Sequence, residues 1–314
     1  MMSEKMATRE AYGATLVKLG ATRDFVVLDA DLAAATKTGM FKKAFPDRFF
    51  DCGIAEGNMM SVAAGIAATG VTPFVSTFAM FAAGRAFEQV RNSIAYPHLN
   101  VKICATHAGI TVGEDGATHQ CNEDISLMRT IPGMTVINPA DAVETEAAVT
   151  AALDFDGPMY IRLGRAPVPT LNDRPDYRFE IGKGYVLADG TDVTLVATGY
   201  MVHLALEARD LLASEGISAR VVNIHTIKPL DTALITACAE ETGAVVTAEE
   251  HSIIGGLGSA VAECLADACP TPLERVGVRD TFGKSGTVPA LLEKFGLTAP
   301  EIAAAARRAI ARKK

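Results

Sequence analysis

The sequence predicts an α/β protein built from two doubly wound domains with mostly parallel sheets, and three observations carry that prediction. Short apolar runs of strand length alternate with stretches of helical apolar spacing along most of the chain, the pattern of a parallel sheet covered by helices. The chain has 314 residues, which corresponds to two domains at roughly 150 residues each. A stretch with three prolines, several charges and no period, PVPTLNDRPDYRFEIGKG at 167–184, divides the alternation into two series.

In the first series a helix is expected over 9–19, followed by the apolar strand FVVLDA at 25–30. A helix over 55–68, strand PFVSTF, a helix over 85–94, strand VKICAT, strand MTVINP, a helix over 142–153 and strand MYIRL continue it. Residues 61–84 carry no charge, a length sufficient for a bilayer span, but Gly65, Gly70, Thr72 and Pro73 interrupt it. The period changes at the interruption, so the stretch reads as a buried helix followed by a buried strand. The second series runs through strand DVTLVAT, a helix over 201–214, strand ARVVNI, a helix over 232–241, strand AVVTAEE, a helix over 258–268 and strand LERVGV. His225, His251 and the GG-x-G turn from Gly255 to Gly258 read as structural.

Composition narrows the function. With 29 Lys plus Arg against 37 Asp plus Glu, the formal charge is −8, which argues against nucleic acid as a partner and leaves anions to be met by a few placed cations. Apolar residues at 49% and charged residues at 21% are those of a globular chain rather than a disordered one. Six cysteines without a C-x-x-C pair do not form a disulfide scaffold and fit a reducing cytoplasm. The N-terminal MMSEKMATREAYG is charged where a secretion signal would be apolar, and no membrane partner is expected.

Three places concentrate chemistry. THAGITVGEDGATHQ at 106–120 follows a strand, and ligands of open parallel sheets bind at the carboxyl ends of strands. Singly, His107, Glu114, Asp115 and His119 read as solvated loop side chains; gathered in one loop with Gly109, Gly113 and Gly116, they mark a site. Zinc would need three or four convergent ligands, a pattern not visible here. Glu56 opens an otherwise apolar helix, where it reads either as an acid favoured by the helix N-terminus or as a buried carboxylate in need of a partner. Phe78 and Phe81, three apart after strand PFVS, read first as core, with the alternative that one or both face a ligand.

These residues resemble the C-terminal half of transketolase, as found in the separate subunit of split transketolases. GEDGATHQ at 113–120 is similar to the family's GEDGPTHQ, and IAEGNM around Glu56, STF at 76–78, ATR at 7–9, DADL at 29–32 and AEEHSIIGGLGS at 248–259 agree in order and spacing. The resemblance implies a pyrimidine-binding domain over 1–172, a linker and domain start over 173–190 and the transketolase C-terminal domain over 191–314. It implies thiamine diphosphate as cofactor and transfer of a two-carbon ketol unit from a ketose phosphate to an aldose phosphate in the pentose phosphate pathway. The family's Gly-Asp-Gly motif for diphosphate and Mg²⁺ is absent from this chain. By the same resemblance, an N-terminal transketolase subunit supplies that half and holds the Mg²⁺, in an α2β2 heterotetramer.

The resemblance assigns Glu56 to the aminopyrimidine ring, where an acid can exchange a proton with a ring nitrogen. Phe78 and Phe81 line the pyrimidine pocket, with Phe81 stacking, and Asp31 lies near the cofactor. Asp115 and His119 contact the sugar's hydroxyl and carbonyl groups, and His119 shares the catalytic role with Glu56. Arg9, His107 and Arg165 serve as cations for the sugar phosphate. One position departs from the family: where a phosphate-binding Ser is usual after DADL, this chain has Ala33, Ala34 and Ala35, so that either Thr36 or Lys37 substitutes or the phosphate is held more loosely, which leaves the identity of the sugar open. Competing expectations are the β subunit of a 2-oxoacid dehydrogenase E1 component, a 1-deoxyxylulose-phosphate synthase-like enzyme and a non-catalytic assembly subunit. The two-histidine loop reads more as a sugar site than as a 2-oxoacid site.

Overall fold

Seven strands form the larger sheet of the computed structural model, which describes residues 5–313. Residues 1–4, part of the N-terminal run read above for an export signal, lie outside the described residues, as does Lys314. Across the sheet the order is Thr226–Lys228, Thr135–Ile137, Met159–Arg162, Lys102–Thr106, Pro73–Phe78, Val26–Asp29 and Phe49–Asp51. All neighbours are parallel except the first pair. The central strands are buried on both faces, which is why they read as unbroken apolar runs.

A second sheet has the order Leu273–Val278, Val245–Ser252, Val193–Ala197, Ala219–Asn223 and Tyr185–Ala188, antiparallel only at its last pair. The fold is therefore α/β with two mostly parallel sheets. Strand Thr226–Lys228 comes from the second half of the sequence yet closes the edge of the first sheet, and Ile227 joins the first core. Residues 5–7 pair with Pro167–Pro169, tying the start of the chain to the start of the proline-rich stretch.

The expected helices over 9–19, 55–68, 142–153 and 201–214 appear as Thr8–Gly20, Glu56–Ala67, Ala142–Asp154 and Met201–Ser214. The helix expected over 85–94 is different. Helical winding begins at residue 79 and takes wide π turns at Met80–Arg85 and Val90–Ala95, with only Phe87–Gln89 wound as α-helix between them. The run AMFAAG that opens it is apolar on every side, so no period marks where the strand gives way, and π turns are frequent at functional sites. Two helices follow the last expected strand, Val288–Lys294 and Ala299–Ile310, the second laying an alanine-rich face on the second core. Among the described residues, no helix is long and apolar enough to cross a membrane. All six cysteines are free thiols.

Candidate active site

The carboxyl ends of four adjacent strands of the larger sheet deliver the chemistry-bearing residues, as the topology of an open parallel sheet directs. Phe78 ends strand Pro73–Phe78, His107 follows Lys102–Thr106, Arg165 follows Met159–Arg162 and Asp31 follows Val26–Asp29. Glu56 enters from the side as the first residue of its helix, where the N-terminal backbone amides favour a negative charge.

Glu56 is 2% exposed. Its two carboxylate oxygens accept from Nη1 of Arg85 at 3.0 and 3.1 Å. The same guanidinium lies over the ring of Phe81, 4.9 Å from its centroid. Phe81 in turn stacks on Phe78 at 5.8 Å and 19°, and Phe78 stacks on His107 at 3.9 Å and 28°. His119 stands edge-on to Phe81 at 5.6 Å and 73°, so the two histidines and two phenylalanines form one aromatic cluster beside the buried acid. Phe78 is buried within it, whereas Phe81 is half-buried and turns a face to Arg85.

Arg85 was not among the expected site residues. Its sequence signal was present: it is the first charge after the uncharged run 61–84 and lies one helical turn beyond Phe81.

The expected anion-binding group is brought together, with a correction. Arg9 Nη1 donates to the carbonyl of Ala35 at 2.9 Å and lies 3.3 Å from Nε2 of His107. The His107 Nδ1 is 2.9 Å from Oγ1 of Thr106, and its backbone is left-handed at φ 57°. Burial, with Arg9, Arg165 and His119 close by, pushes the His107 pKa down to about 3, so the imidazole is neutral and its Nε2 accepts from Arg9. His107 therefore supplies no positive charge; it orients Arg9, and the cations are Arg9 and Arg165. Arg165 Nη1 donates to the carbonyl of Val112 and pairs with Glu114 at 3.4 Å.

Of the two expected replacements for the missing Ser, Thr36 is buried and its hydroxyl donates to Asp29 at 2.7 Å, whereas Lys37 is partly exposed, its Nζ in a surface pair with Glu10 at 3.5 Å. Asp31 and Asp115 are exposed, the first with its amide donating to Asp51, the second in the turn Gly113–Asp115. Among the described residues, no three His, Cys, Asp or Glu side chains converge on a metal-sized site.

The arrangement joins a water-excluded carboxylate, an aromatic face and two guanidinium groups around a glycine-rich loop. Such a site suits a flat nitrogen heterocycle against Glu56 and Phe81, with an anionic, hydroxyl-rich substrate beyond it. The pyrimidine half of thiamine diphosphate fits this group of residues: among the described residues the Glu56 carboxylate is capped by Arg85, 55% exposed, which solvent can receive.

Comparison with known proteins agrees with the geometry. Residues 4–170 match the family described as transketolase, pyrimidine binding domain, and residues 182–302 match transketolase, C-terminal domain. A putative transketolase C-terminal section of Methanocaldococcus jannaschii is 50% identical, covering 94% of this chain and 93% of that protein. A subunit of 6-deoxy-6-sulfo-D-fructose transketolase from Clostridium sp. (strain MSTE9) is 49% identical, covering 97% and 95%. The solved structure of a split-gene transketolase, an inactive β4 tetramer, superposes with a TM-score of 0.92 at 57% identity, covering 98% of this chain and all of that one.

Proposed function

The chain belongs to the transketolase family, and from that premise we propose that it is the C-terminal subunit of a split, thiamine diphosphate-dependent transketolase. It would move a two-carbon ketol unit from a ketose phosphate to an aldose phosphate. The observation that carries this reading is the sealed Glu56 carboxylate beside the half-open face of Phe81, at the sheet edge where Arg9, Arg165 and His119 also gather.

When bound, thiamine diphosphate supplies the electron sink that lets a ketose release its two-carbon unit. The chain's own residues bind and position. Glu56 holds a proton between its carboxylate and a ring nitrogen of the pyrimidine, in surroundings that exclude competing water. Phe81 offers its face for stacking, Phe78 backs it, and Asp31 borders the cofactor. His119 is the group for the sugar's carbonyl oxygen and Asp115 for its hydroxyls, one able to donate and the other to accept. Arg9 and Arg165 take the terminal phosphate, with neutral His107 keeping the Arg9 guanidinium in register.

Diphosphate and Mg²⁺ are assigned to an N-terminal partner subunit, joined to this chain as α2β2. Similarity over nearly their whole length to proteins named as a C-terminal section and as a single subunit supports that assignment. The free thiols support a cytoplasmic setting.

The test is to mix the purified chain with the candidate N-terminal subunit, thiamine diphosphate and Mg²⁺, and to assay two-carbon transfer from a panel of ketose phosphates. Beside the phosphates, 6-deoxy-6-sulfo-D-fructose is assayed, since its sulfonate presents a similar tetrahedral anion. Transfer only in the mixture is the expected result; activity of the chain alone would refute the divided site, and inactivity of every mixture would refute the assignment.

A further inference from the structure

The loop that carries Asp115 and His119 is held from the other domain. Glu250 lies in strand Val245–Ser252 of the second sheet, is 3% exposed, and points its carboxylate into the first domain. There Oε1 accepts the backbone N–H of Thr111 at 2.6 Å. The approach is close enough to dictate the loop's composition: a Cβ on Gly109, which has φ +74°, would lie 2.3 Å from the same oxygen. A second hold grips the far end of the loop, where Gln120 Nε2 donates to the carbonyl of Lys284 at 2.8 Å.

The Glu250 backbone is itself fixed from the first domain. Arg162 Nη2 donates to its carbonyl at 2.8 Å while Nε of the same arginine pairs with Asp124 at 2.8 Å, and Tyr160 donates to that carboxylate at 2.9 Å. A buried carboxylate is costly to desolvate, and an apolar side chain would fill the same volume at less expense. What an apolar side chain would lack is the acceptor for Thr111. Between Thr111 and Gln120 lie Gly113 and Gly116, both at positive φ, in a run of tight turns that Arg165 also holds at Val112 and Glu114, so the Thr111 amide is one of the few points that set where this folded loop sits.

We propose that Glu250 is a positioning residue for transfer: by holding the Thr111 amide it fixes the glycine-rich loop and thereby the placement of Asp115 and His119. The second domain then acts on substrate binding as well as bracing the fold. The role in substrate binding rests on the transketolase reading above; the role in loop order does not.

The test compares Glu250→Met, which keeps the bulk and removes the acceptor, with Glu250→Gln, which keeps an acceptor oxygen. Hydrogen exchange of the Thr111 amide is measured on the chain alone, and KM and kcat for a ketose phosphate on the two-subunit enzyme. E250M is expected to expose the amide and raise KM by about tenfold, with cofactor affinity held within about twofold, while E250Q stays near wild type in all three. Equal behaviour of the two variants in both measurements would overturn the proposal, as would a loss of cofactor affinity matching the change in KM. Should E250M not fold, Glu250→Asp, which withdraws the carboxylate by one methylene, carries the same comparison. If exchange follows the expected pattern while no ketose is turned over, loop positioning stands and the transketolase reading falls.

Discussion

Arg85 sets one nitrogen, Nη1, against both carboxylate oxygens of Glu56, at 3.0 and 3.1 Å, while its guanidinium covers the face of Phe81. On the proposed reading a pyrimidine ring would use both of those contacts, so arginine and cofactor would compete for the same carboxylate and the same ring. Arg85→Met removes the competitor and leaves a buried charge unpaired in the free chain. The free variant should lose about 1–2 kcal/mol of stability, a figure discounted because Arg85 is 55% exposed, and should bind thiamine diphosphate a few-fold more tightly once assembled. Thermal melting of the chain and calorimetric titration of the assembled enzyme check the two halves; weaker cofactor binding would show that Arg85 contacts the cofactor instead of yielding to it.

Glu56 itself is expected to be indispensable. Glu56→Gln keeps the size and one acceptor but cannot share a proton with a ring nitrogen, and Glu56→Ala removes the group. Both should lower transfer by at least about a hundredfold, the scale of a lost proton-transfer group. Turnover of the assembled variants is the measurement, and near-normal rates in either would remove Glu56 from the chemistry.

Arg165 and Arg9 should separate by what each is tied to. Arg165→Ala is expected to raise KM for phosphorylated substrates by roughly tenfold or more with kcat little changed, since a charge-assisted contact made equally in ground and transition states is lost. Arg9→Ala should do the same and in addition release His107 from one of the charges that depress it, moving its pKa up from about 3 by part of the way, because burial remains the larger cause. The ring-proton titration of His107 by NMR reads this directly; an unmoved titration would break the link between the two residues.

Strands such as Pro73–Phe78 and Lys102–Thr106 were legible because burial on both faces leaves only apolar side chains to read. The same physics put Phe78, His107 and Arg165 at strand ends, where a ligand site was expected. The three-residue strand Thr226–Lys228 was not legible, being too short to carry a pattern and paired far from its own series. Nor were the pairings across distance: Arg85 meets Glu56 across 29 positions, and Glu250 meets Thr111 across 139. The neutrality of His107 belongs to this class, since a histidine next to two arginines in the fold reads in the sequence as a third cation.

Glu144 gives the stability of the chain a dependence on pH whose sign can be worked out. Its carboxylate accepts from Tyr177, from Asn223 at 2.8 and 3.1 Å and from the amide of Ala140, joining the proline-rich stretch and the second sheet to helix Ala142–Asp154. Those donors lower its pKa, but complete burial outweighs them and lifts it from 4.5 to about 7. Across that interval the folded chain holds a proton the unfolded chain has lost, so this group's contribution to stability is greatest below about pH 4.5, falls as pH rises and levels off above about 7. Glu144→Gln cannot ionise. Whatever its offset from wild type at low pH, its stability relative to wild type should rise by up to about 3 kcal/mol between pH 4.5 and 7 and then stay constant. Paired urea unfolding curves at pH 4.5, 6 and 8 measure it; a difference that does not change with pH would mean that Glu144 is ionised in the folded chain throughout.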